Sequence, residues 1–178
     1  MTRRPLRNAL FALGLCILAA CVVNLSFDMP QQLTVQSQGP ATSISTTLQV
    51  VLSNYQEIID HKNDIKSLDL DSADVTVVSL GPTNKATKLN GAVRLAKSPS
   101  DPVASQISVG GALTNFPLTA GSSVRLPGSP QLDAFLLQQL QNGGTFYVVV
   151  DGSIDQAPVD LKLNVIMHAS LGYDTGIF

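Results

Sequence analysis

The most regular alternation in the chain runs from Val159 to Leu171. Val159, Leu161, Leu163, Val165, Met167, Ala169 and Leu171 occupy the odd positions, against Asp160, Lys162, Asn164, Ile166, His168 and Ser170 at the even ones. Successive side chains of a strand point to opposite faces, so a period of two predicts a strand with one buried face. One-sided burial marks an antiparallel sheet, because parallel strands bury both faces as a rule. The stretch TFYVVVDGSID, residues 145–155, is nearly continuously apolar in its first half and predicts a strand at the centre of its sheet. Between Pro127 and this strand the period changes to that of a helix. Ser129 is the expected cap, Pro130 the first helical residue and Asp133 an acid in the first turn, with Leu132, Phe135, Leu136 and Leu140 as the apolar stripe. Asn142, Gly143 and Gly144 end it.

Upstream the pattern is looser. YQEIIDHKND after Ser53 or Asn54 predicts two or three helical turns, with Tyr55, Ile58 and Ile59 on one face. From Ile65 the period returns to two: Leu68, Leu70 and then Val75, Val77 face one way in turn, with Asp69, Asp71 and Thr76 between them. The pattern predicts either two strands or one strand bent near Ser72. Gly81, Pro82 and Asn84 mark a turn before KLNGAVRLA, and KSPSDP breaks that strand. ASQISVGGALTNFPL reads as a strand bulged at Gly110 and Gly111, followed by a short one at SSVRL. Ahead of these, residues 24–46 carry Pro30, Gly39 and Pro40 among Gln, Ser and Thr, and read as a spacer with a first strand at 32–38. Roughly seven or eight short strands, about ten residues apart, predict an antiparallel β-sandwich, immunoglobulin-like or similar, with one or two short helices packed on it.

The first 23 residues follow a different rule. Arg3, Arg4 and Arg7 precede an unbroken apolar run from Ala9 to Val23, the charged-then-apolar order of an export signal. A spanning helix needs roughly 20 apolar residues, and Asn24, Ser26 and Asp28 do not extend the run. Leu18, Ala19, Ala20 and Cys21 resemble, residue by residue, the lipobox of bacterial lipoproteins. The resemblance implies cleavage between Ala20 and Cys21 and a thioether-linked diacylglycerol on Cys21, with a third acyl chain often added to the new amine. The ordinary alternative is a secretory signal cut after Ala20 that leaves a free thiol. One acyl chain holds a protein marginally and two or three hold it firmly. Val22 stands where an Asp in Gram-negative lipoproteins favours the inner membrane, so the resemblance points to the outer membrane; in a Gram-positive host the anchor would be the outer face of its single membrane.

The organisation that follows is a signal peptide at 1–20, a lipidated terminus, tether and possible first strand at 21–46, and one sandwich domain at 47–178. The pattern of that domain is loosely similar to the immunoglobulin-like sandwiches of desiccation-related (LEA-type) proteins, without a shared motif. Composition sharpens this picture in two ways. The chain has 11 basic and 13 acidic residues, and removal of the three signal arginines leaves 8 − 13 = −5 with His neutral. Such a balance offers no basic patch for nucleic acid. Of the two cysteines, Cys16 leaves with the signal and Cys21 is taken by lipid, so the domain must be stable without a disulfide.

Candidate chemistry is sparse. There is no G-x-S-x-G elbow and no S-x-x-K, and no thiol remains for nucleophilic attack once Cys21 is acylated. His168 falls on the polar face of the last strand, where a solvent-facing side chain is expected. His61 has Glu57 and Asp64 about one turn away, but zinc takes three or four placed ligands and no second His is near. Asp69, Asp71 and Asp74 supply oxygens of the kind calcium uses, yet lack the Gly and Glu of an EF-hand loop. No cofactor is expected. The expected function is that of a membrane-anchored, noncatalytic envelope lipoprotein whose partners are the membrane and another envelope protein. The alternative is a module that binds lipid or a small hydrophobic ligand beneath the helix at 130–141.

Overall fold

The structure is a computed structural model that describes residues 22–37 and 39–175; the signal segment, with Ala20 and Cys21, lies outside the described residues. In chain order the elements are β1 (Val22–Gln36), β2 (Ser43–Val51), α1 (Gln56–His61), β3 (Ile65–Leu80), β4 (Lys88–Ala96), β5 (Ile107–Ser108), β6 (Leu113–Pro117), β7 (Ser123–Pro127), α2 (Pro130–Gln141), β8 (Thr145–Ile154) and β9 (Asp160–Asp174). They form a β-sandwich of two antiparallel sheets. One sheet has the order β1-β9-β3-β7; the other runs β2-β8-β4-β5, with β6 also on β4.

The two strands read most plainly from the sequence hold the middle of each sheet. β9 lies between β1 and β3 and turns its odd residues into the core, where Leu163, Val165 and Leu171 are wholly buried. β8 lies between β2 and β4, and Val148, Val149 and Val150 in succession are buried, as its unbroken apolar run predicts. A fully buried Leu or Val contributes about 1.5–3 kcal/mol, and side chains from both sheets merge into a single cluster with Phe146, Met29 and Leu68.

β3 is one strand of 16 residues, and its register against β9 slips between Leu70 and Ser72. The bulge explains the change of parity: Leu68 and Leu70 face inward before it, Ala73, Val75 and Val77 after it.

Three regions differ from the sequence reading. Residues 22–36 are all strand, where a spacer with a strand at 32–38 was expected. Every residue from Val22 to Gln36 is in register with β9, and Phe27, Met29, Leu33 and Val35 are buried. Pro30 is compatible with this because β1 is an edge strand, where a missing N–H does not break the sheet. β2 likewise begins at Ser43, inside the expected spacer. Finally, the expected bulged strand at 104–118 is two short strands on the same edge of β4, separated where Gly110 takes φ +63°.

α2 follows its sequence signals closely. Ser129 Oγ accepts from Leu132 N, Pro130 opens the helix, and Gly143 and Gly144 leave it with positive φ. It buries Leu132, Phe135 and Leu136, with Phe135 edge-on to Phe146 at 6.2 Å. The helix packs on β3, β5 and β8, so it fills one flank between the sheets. On the other flank β1 and β2 approach each other, and Thr46 Oγ1 donates to Thr34 O at 3.2 Å.

Candidate functional site

The largest polar assembly among the described residues lies on the outer face of β1, β9, β3 and β7. Register brings Asp28 of β1 and Ser72 of β3 opposite His168, and Arg125 of β7 opposite Asp74. His168 Nδ1 lies 2.7 Å from Asp28 Oδ1 and its Nε2 lies 3.0 Å from Asp74 Oδ2. Arg125 donates to Ser72 Oγ at 2.7 Å and approaches Asp74 at 3.8 Å. Ser170 donates to Asp71 at 2.6 Å. The sequence placed His168 on the polar face, and the structure adds that its side chain is only 27% exposed and clamped from both sides.

This arrangement favours the protonated ring. Its pKa is raised, first by the hydrogen bond to Asp74 and then by the one to Asp28, against a smaller opposing effect of burial. Both nitrogens face carboxylates, so the ring that fits best donates from both and is an imidazolium. A nucleophile needs a base with a free lone pair. His168 has neither nitrogen left for one, and the neighbouring Ser72 and Ser170 bond to Arg125 and Asp71 instead. The cluster ties four strands together.

Asp69, Asp71 and Asp74 do not gather as calcium ligands. Asp69 accepts from Ser67, Asp71 from Ser170, and Asp74 turns to His168 and Arg125. Among the described residues no three His, Cys, Asp or Glu side chains are grouped as a metal site would require. An acid outside this trio reaches the bulge instead: Asp133, from the first turn of α2, accepts from Leu70 N at 2.8 Å. Burial raises its pKa, the Leu70 bond opposes this, and the charges of Asp69 and Asp71 add to the rise.

His61 also has a packing role. Its ring stacks on Tyr173 at 3.6 Å with an interplanar angle of 19°, which joins α1 to the last turnless stretch of β9. Beside it a shallow apolar groove of about 260 Å³ runs between α1 and the end of α2, lined by Ile58, Ile59, Lys62, Leu140 and Gly144 among others. Helix α1 is shorter than its sequence pattern, six residues that bury Ile58 while Ile59 stays outside.

No protein-family model matches the chain, and no curated protein matches it. Among solved structures, the chain is similar to the decameric BFDV capsid protein, at 11% identity and a TM-score of 0.47, over 85% of this chain and 99% of that one. It is also similar to a chain of the nora virus structure, at 15% identity and a TM-score of 0.36, over 99% of this chain and 70% of that one. Likeness at these values adds nothing to the two-sheet architecture already described.

Proposed function

We propose that this chain is a membrane-anchored envelope lipoprotein with a noncatalytic role, structural or in binding another envelope protein. The observation that carries the reading is the order of the chain at its amino end: charge, apolar run, Leu18-Ala19-Ala20-Cys21, and then a strand that is hydrogen-bonded into the sandwich from Val22 onward. Two or three acyl chains on Cys21 would hold the domain firmly, since each buried methylene contributes about 0.8 kcal/mol. In the Gram-negative case the residue after Cys21, Val22, favours the outer membrane.

The noncatalytic part of the reading is supported by the His168 cluster, whose ring nitrogens are both committed to carboxylates. The ligand-carrier alternative would use space beneath α2. Leu132 and Leu136 occupy that space and join the same cluster as Phe146 and Leu163. This favours the anchored scaffold over the carrier.

Growth with an alkyne-tagged fatty acid tests the anchor. The expected outcome is a labelled protein in the membrane fraction, and complete loss of label with Cys21→Ala. Unlabelled wild-type protein in the soluble fraction would refute the reading.

A further inference from the structure

The start of the first sheet and α1 occupy the same end of the sandwich. Val22 pairs with Asp174 and Val23 with Tyr173, and β3 begins there with Ile65 opposite Tyr173. α1 is fixed to this end by the stack of His61 on Tyr173 and by the bond from Asp174 N to Asp64 O at 3.0 Å. Among the described residues, the exposed large apolar side chains are Val22, Val23, Ile59, Val78, Leu80 and Val103. Val22 at 52%, Val23 at 39% and Ile59 at 44% belong to this end. Val103 follows β4, whose last residue, Ala96, pairs with Tyr147 near the start of β8, and so lies beyond the same end of the second sheet. Val78 and Leu80 lie at the far end of β3, where Leu80 pairs with Leu161.

Single exposed apolar residues need no explanation, but three at the end that carries a covalent membrane anchor do. On the lipoprotein reading, on which this inference rests, Val22 is bonded directly to the acylated Cys21. One residue spans at most about 3.6 Å, so the acyl chains would hold this end of the sheet at the bilayer without a flexible leash.

We propose that the β1–α1 end is a seat on the lipid surface, with Val22, Val23 and Ile59 at the boundary between headgroups and acyl chains. Glu57, Asp60, Asp64 and Asp174 stand here against Lys62 and Lys66, so the end is mildly acidic. Its attraction to the bilayer is therefore apolar, and anionic lipid does not strengthen the seat. The long axis of β1 and β9 then stands away from the membrane. The opposite end, with the β8–β9 turn, then faces away from the bilayer.

Spin labels decide it, because the anchored chain has no other thiol. Ile59→Cys and Leu80→Cys, each made in the full chain, expressed with its anchor and labelled with a nitroxide, are placed in vesicles of phosphatidylcholine with or without phosphatidylglycerol. The expected result is one label per chain, with the ratio of oxygen to nickel-chelate accessibility higher at 59 than at 80 by at least about fivefold, as for a side chain about 5 Å or more below the headgroups. Equal ratios at the two positions, with one label per chain and the protein on the vesicles, would overturn the seat and leave the anchor standing. A second label per chain would show Cys21 to be a free thiol, which removes the anchoring reading and the seat together.

Discussion

His168 stands between two carboxylates, and that position gives it a measurable consequence for stability. Its folded pKa is raised above the ordinary value of 6.5 by Asp74 and Asp28. Folding therefore favours the protonated ring, so the stabilisation is fully present below about pH 6.5 and is lost as pH rises through the higher folded value. Denaturant midpoints of the wild-type chain should fall as pH is raised from about 6 to about 9, and His168→Gln should flatten that dependence. A wild-type midpoint that rises over this range would contradict the clamp. The sequence put His168 on the polar face of its strand but did not show the clamp. Asp28 and Asp74 are 140 and 94 residues away, and only the pairing of β9 with β1 and β3 makes them neighbours.

At the scale of elements, the joint between β7, α2 and the bulge of β3 is the tightest. A Cβ on Gly128 would lie 1.5 Å from Leu70 O, a backbone atom with nowhere to go. Gly128→Ala should cost about 3 kcal/mol, which for a domain of this size lowers Tm by roughly 6–12 °C in a thermal melt. Gly111→Ala, where nothing lies within 4 Å, should stay within about 0.5 kcal/mol of the wild type. Equal Tm values for the two variants would show that the joint yields. The elements that were legible are those in which one physical signal dominated. β9 alternates along its length, α2 has its cap, its proline and its two glycines, and of the two readings near Ser72 the single bent strand is the one observed. β1 was misread although it alternates too: Leu25, Phe27, Met29, Leu33 and Val35 all face inward or partly so. Pro30 and Gln31 interrupt that alternation. Gln31 fits because its side chain donates to Tyr55 Oη at 2.6 Å, a contact that no local pattern reveals. The split of β5 from β6 was hidden for a similar reason, since paired glycines suit a bulge and a break equally well.

At the scale of the whole molecule, two sheets close over one cluster of apolar side chains, and α2 fills the flank that β1 and β2 leave open. Fold class was readable because alternation and turn spacing agreed on it. The functional proposal rests on the amino end, where four residues resemble a lipobox; among the described residues no side-chain cluster names a partner. A solid sandwich tied by Cys21 to a bilayer would act through position and contact. The most direct measurement is mass spectrometry of the amino-terminal peptide of the protein extracted from its own membranes. The expected peptide begins at Cys21 and carries diacylglycerol in thioether linkage, with or without an acyl group on its amine. A peptide that begins at Met1, or one that begins at Cys21 with an unmodified thiol, would contradict the proposal.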